Sequence, residues 1–155
     1  MLKGGKRMFA PKKILVPTDF SKYADAALEQ AIDIAAQYGS TIHLLHVVDE
    51  RITWAADDYG SAEVVKHLDK ESLKAAEERL KRVAAAIIND KKIDVIVDVK
   101  GGTPYEVILS EEKEKNIDVI VIASHGKTGI LKHLMGGVAG KVIKGSRCLV
   151  VVVKP

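Results

Sequence analysis

The sequence predicts an α/β protein: an open, doubly wound, five-stranded parallel sheet with helices on both faces, in three α/β/α layers. Short runs rich in Ile, Leu and Val alternate with longer segments of helical period, and strands separated by helices pair in parallel through right-handed crossovers. The first, second and fourth runs are apolar almost throughout, so both of their faces must be covered.

The first strand is Lys13 to Val16, stopped by Pro17, which has no N–H for a ladder. Ser21 suits the N-cap of the next helix, where Ala24, Ala27, Leu28, Ala31, Ile32 and Ala35 form an inner stripe and Gly39 supplies the stop. Thr41 to Val48 is the second strand. Asp49 to Ala62, with Trp54 and Tyr59, shows no clear period and reads as a long loop or weakly ordered insertion. Glu63 to Asn89 is the longest helix, with Leu73, Ala76, Leu80, Val83 and Ile87 inside and the pairs Glu77–Lys81 and Glu78–Arg82 outside. Ile93 to Val99 alternates as an edge strand would. Thr103-Pro104-Tyr105-Glu106 has the pattern of a capping box and opens a helix to about Lys115. Asp118 to Ala123 is the fourth strand. A glycine-bearing loop, a short helix from Val138 to Lys144 stopped by Gly145, and a strand from Cys148 to Val153 complete the order.

Composition bounds the class. With 155 residues, 47% apolar and 29% charged, the chain suits one soluble domain. Its apolar runs fall far short of the ~20 residues of a membrane span, and its start lacks a signal-peptide core. Cys148 stands alone, so neither an internal disulfide nor a cysteine-based zinc site is expected, and a cytoplasmic location fits. The net charge of +3 is local. Lys3, Lys6, Arg7, Lys12 and Lys13 face no acid in the first 13 residues, and the remainder holds 19 basic against 21 acidic side chains. The organisation expected is a basic tail over 1–11 and one domain over 12–155, with no nucleic-acid or membrane partner.

Open α/β sheets bind ligands beyond the carboxyl ends of their strands, where strand order reverses. Pro17, Thr18 and Asp19 leave the first strand there, Val47 to Asp49 the second, and Ser124, His125, Gly126, Lys127, Thr128 and Gly129 the fourth. Gly136 and Gly137 lie at the start of the last helix, where backbone N–H groups and the helix dipole favour an anion. Lys127, Ser124 and Thr128 add a charge and hydroxyls, so the loop reads as a phosphate cradle. Glycines in βα loops also serve plain turns, and Asp19 also suits a helix cap. A P-loop is excluded, because Val121 stands where its first glycine is required. His43 and His46, three apart in a strand, point to opposite faces and read as buried, hydrogen-bonded histidines, not as metal ligands. His125 and His133 lack partners at ligand spacing, and adjacency alone does not make Ser124 and His125 a catalytic dyad.

Lys13-Ile14-Leu15-Val16-Pro17-Thr18-Asp19-Phe20-Ser21 resembles the opening of the universal stress proteins. Leu44 to Asp49, Gly102-Thr103-Pro104, Ser124 to Thr128 and Cys148 to Val152 resemble later segments of the same family in the same order. The likeness runs from about Lys12 to Lys154, excepting 49–62. ATP-binding members carry Gly, two residues, Gly, nine residues, then Gly followed by Ser or Thr. Gly126 and Gly136 keep that spacing, while Ala123 replaces the first glycine and Gly137 the hydroxyl residue.

The resemblance implies an adenosine pocket lined by Pro17, Thr18, Asp19 and the Val47 backbone, with Ala123 beside the ribose. Gly126 and its neighbours, with Gly136, Gly137 and Val138, would hold the phosphates. It therefore implies a regulatory protein binding ATP, ADP or AMP, with Mg2+ on the phosphates, that dimerises through Leu149–Val153 and acts on an unidentified protein partner. The alternative is a nucleotide-free scaffold. A nucleotidyl transferase would need His-x-Gly-His after the first strand, where Pro17-Thr18-Asp19-Phe20 stands. No residue reads as an activated nucleophile or base, so any ATP hydrolysis is expected to be slow.

Overall fold

The computed structural model describes residues 9–49, 62–126 and 137–154, with the side chains of the long helix described from residue 70. Strands β1 (Lys13–Thr18), β2 (Thr41–Asp49), β3 (Val95–Gly102), β4 (Val119–Ala123) and β5 (Leu149–Val153) form one sheet in the order β3-β2-β1-β4-β5. Every neighbouring pair is parallel. Between them run helices α1 (Lys22–Tyr38), α2 (Ala62–Lys91), α3 (Pro104–Lys115) and α4 (Gly137–Gly145). No helix among the described residues is long and apolar enough to cross a membrane.

The alternation of side chains along each strand divides the core into two layers. Ile14, Val16, Ile42, Leu44, Val119 and Val121 pack with Ala27, Ala31 and Ala35 of α1 and with Leu80 and Ile87 of α2. Leu15, Leu45, Ile120 and Ile122 pack on the other face with Ile108 of α3 and with Ala139 and Val142 of α4. The doubly wound arrangement follows directly from strands that are apolar on both sides. In α2 the inner stripe dominates: truncating the fully buried Leu80 costs ~2–5 kcal/mol. The exposed Glu77–Lys81 pair, at 2.5 Å, contributes only ~0.3–0.5 kcal/mol.

The helix ends show where sequence patterns held. Ser21 caps α1, its hydroxyl accepting from the Ala24 amide at 3.2 Å, and Gly39 closes it with φ 66. Other expectations need correction. β1 does not stop at Pro17: it runs to Thr18, because the ladder to β2 continues on that side. β3 begins at Val95 rather than Ile93 and extends to Gly102, since Ile93 is buried ahead of the strand. The capping box at Thr103 is not formed. Its hydroxyl caps nothing, and the Glu106 carboxylate instead accepts from the Tyr105 hydroxyl at 2.8 Å. Gly145 is the last residue of α4, and a β-carbon there would stand 2.5 Å from Leu109 Cδ1. It therefore permits close packing of α4 on α3. Residues 50–61, including Trp54 and Tyr59, and His133 lie outside the described residues.

Candidate functional site

From β1 the chain winds outward to β2 and β3, then returns past β1 to β4 and β5 on the other side. Connections therefore leave the carboxyl ends of β1 and β4 in opposite directions, which opens a crevice between them. β1 pairs with β4 at Ile14 and Leu15, while its pairing with β2 continues to Thr18. Pro17 lies in the stretch beyond the β4 ladder and has no N–H to extend it.

On the β1 side, two side chains shape the backbone. Thr18 Oγ1 accepts from the Phe20 amide and Asp19 Oδ1 accepts from the Ser21 amide, each at 3.0 Å. Between these bonds Phe20 adopts φ 62, a left-handed conformation that costs a non-glycine residue ~1–2 kcal/mol. The Phe20 ring lies 4.4 Å from that of His46, and the Arg79 guanidinium sits 4.2 Å from the Phe20 centroid. His46 Nδ1 donates to the Thr18 carbonyl at 2.8 Å, which fixes the proton on that nitrogen in this bond. A ring pair and a cation–π contact each contribute ~0.5–1 kcal/mol at half-exposed sites, together enough to offset the backbone cost.

On the β4 side, Ala123 ends the strand opposite Val153, and Ser124 is buried with its amide donating to the Val153 carbonyl at 2.9 Å. The Ser124 hydroxyl and His125 Nδ1 are 2.8 Å apart, so these neighbours do interact. With the hydroxyl buried, the contact orients the His125 ring, which also lies 6.2 Å from the Tyr23 ring. Across the crevice, a β-carbon on Gly126 would stand 2.8 Å from Asp19 Oδ2. The two loops meet so closely that a side chain at 126 would require the Asp19 carboxylate to shift.

Val47 lies near the end of β2, part-buried on the layer that holds α3 and α4. Gly137 and Val138 open α4, with the Val138 side chain packed against the core. A β-carbon on Gly137 would meet nothing within 4 Å among the described residues. Lys127, Thr128, Gly129 and Gly136 lie outside the described residues.

Two polar clusters stand apart from the crevice. Glu111 of α3, fully buried, pairs with Lys100 of β3 and with Lys115, 2.7 Å from its Oε2; Lys115 also pairs with Asp98. Burial pushes the Glu111 carboxyl up, but the two ammonium groups outweigh it and hold the net value below the usual 4.5. His43 lies beside this cluster. Burial, then the charges of Lys115 and Lys13, lower its pKa, and its Nδ1 has no hydrogen-bond partner among the described residues. The expectation of a bonded histidine thus holds for His46 and fails for His43. In the second cluster, Glu112 accepts from the Arg147 and Cys148 amides at 2.7 Å and from the Ser146 hydroxyl at 2.9 Å.

The sequence model of the Universal stress protein family matches residues 11–154. The chain belongs to the universal stress protein family. Universal stress protein MJ0531 of Methanocaldococcus jannaschii is 31% identical over 154 residues, covering 99% of this chain and 87% of that one. MJ0577 of the same organism is 32% identical, and its solved structure superposes with a TM-score of 0.82 over 93% of this chain and 96% of that one. The structure of a universal stress protein family member from Arabidopsis thaliana with AMP bound, At3g01520, has a TM-score of 0.62 at 22% identity, over 93% and 92% of the two chains. That last likeness is one of fold.

Within this universal stress protein, Phe20, Arg79 and Tyr23 stand beside Thr18, Asp19, His46 and His125 without having been singled out in the sequence. Arg79 lies outside the apolar stripe of its helix, and a left-handed Phe leaves no mark in a residue pattern. A burial signal for Glu111 was equally hidden, because its partners lie 11 positions upstream and four downstream.

Proposed function

We propose that this protein binds an adenine nucleotide in the crevice between β1 and β4 and acts as a homodimeric regulatory switch. The approach of Asp19 to Gly126 carries the reading, because it forms a narrow cradle that a single methyl group would fill. The adenosine end would rest against Pro17, Thr18, Asp19, the Val47 backbone and Ala123. The phosphates, with Mg2+ on them, would lie along the loop from Ser124 through His125, Gly126, Lys127, Thr128 and Gly129 to Gly136, Gly137 and Val138. The amide groups at the start of α4 suit an anion there. The AMP-bound Arabidopsis relative of this fold supports the choice of an adenine nucleotide.

The two sheet edges support pairing through β5. β3 bears Asp98 and Lys100, charges that discourage strand addition, whereas Leu149–Val153 carries none and Leu149 is 52% exposed. The test is what the purified protein releases on denaturation. An adenine nucleotide identified by absorbance and mass spectrometry is the expected result. Protein that carries none and gives no heat on titration with ATP, ADP or AMP would leave the scaffold reading, which the departures at Ala123 and Gly137 favour.

A further inference from the structure

Phe20 occupies the rim of the crevice with φ 62, where a bulky side chain is rarely found. Its own amide and that of Ser21 donate back to Thr18 and Asp19, so the turn presenting Asp19 to Gly126 exists while Phe20 stays left-handed. The ring is clasped from two elements: His46 of β2 at 4.4 Å and Arg79 of α2 at 4.2 Å. His46 is in turn fixed by the Thr18 carbonyl at 2.8 Å. We infer that the Arg79–Phe20–His46 stack is a positioning device for the nucleotide site, holding the strained turn so that Asp19 is set before ligand arrives. The inference rests on the nucleotide-binding reading and adds three residues that act through Thr18 and Asp19 instead of touching ligand. Apparent affinity falls in proportion to the fraction of molecules holding the competent turn, so loosening the clasp weakens every ligand that uses the adenosine end.

The decisive comparison is Phe20→Ala with Phe20→Gly. Alanine loses the ring and keeps the β-carbon that penalises positive φ, whereas glycine loses both. Titration calorimetry with ATP and adenosine should show Phe20→Ala about tenfold weaker for both, and Phe20→Gly within about threefold of the parent. Arg79→Met, which keeps the stem and removes the charge, should weaken both ligands about threefold, with recovery in Arg79→Lys. Hydrogen exchange at the Ser21 amide in ligand-free protein should follow the same ranking. Folded Phe20→Gly that binds as weakly as Phe20→Ala, or four variants all binding like the parent, overturns the inference. So does an Arg79→Met loss confined to ATP, which would be simple charge attraction to phosphate. If the parent protein binds neither ligand, the nucleotide reading fails, and the exchange ranking still decides whether the stack holds the turn.

Discussion

Replacing Gly137 with Ser restores the hydroxyl that ATP-binding relatives are expected to carry at this position, and the structure makes the substitution unusually clean. A β-carbon there meets nothing within 4 Å among the described residues, and Gly137 is not among the described positive-φ glycines, so neither a described neighbour nor the backbone opposes it. Serine is also the better residue in a helix by a few tenths of a kcal/mol, so the fold should be kept. A hydroxyl donating to a charged phosphate contributes ~1.5–3 kcal/mol when fully made. That corresponds to an ATP affinity about 10- to 150-fold higher. Titration calorimetry on the parent and on Gly137→Ser, with ATP, ADP and adenosine, reads this directly. The two phosphorylated ligands should tighten while adenosine stays unchanged. Equal ATP affinity in the two folded proteins, or equal tightening of adenosine, would refute the placement of the phosphates at the start of α4.

Other predictions concern the clusters away from the crevice. Glu111→Gln removes the charge that neutralises Lys100 and Lys115, and because both lysines reach solvent the loss should be ~2–4 kcal/mol, read from the denaturant midpoint. Glu111 and Glu112 are both held below 4.5, so their contribution is complete above 4.5 and lost as pH falls through their lowered folded values, visible in melting temperature against pH. His43 has the same sign for another reason. Its folded pKa lies below 6.5, so the unfolded chain takes up the proton first and stability declines as pH drops below 6.5. His43→Gln should flatten that part of the profile, and an unchanged profile would contradict the burial argument. Burial pushes the Cys148 thiol from 9.0 up to about 11, so alkylation by iodoacetamide at pH 8 should run about 100-fold slower in the folded protein than in the unfolded one.

The architecture was legible because long-range constraints were written locally. Apolar runs such as Val119–Ala123 demanded cover on both faces, and Ser21 and Gly39 marked the ends of α1 with side chains that act on their own neighbours. The capping box at Thr103 had equally local grounds and failed, since Tyr105 competes for the Glu106 carboxylate. Boundaries slipped where tertiary contact decides them: β1 runs past Pro17 because β2 alone supplies its ladder there. Strand ends and glycines named the candidate segments, while the switch point between β1 and β4 is set by a strand order that only the structure gives. The bracing of the crevice was not legible. Arg79 meets Phe20 across more than 50 positions of sequence, and Lys100 finds Glu111 through the packing of α3 on β3. Neither pairing has a period or a motif.

The proposed function stands or falls on whether an adenine nucleotide binds in the crevice between β1 and β4. Amide chemical shifts followed by NMR during titration of the stripped protein with ATP test it most directly, because they report place as well as binding. Saturable shifts are expected at Thr18, Asp19, Val47, Ser124–Gly126 and Gly137, with Asp118 and Arg147 at the opposite end of the sheet unmoved. Shifts centred on those distant residues, or none at millimolar ATP, would contradict it.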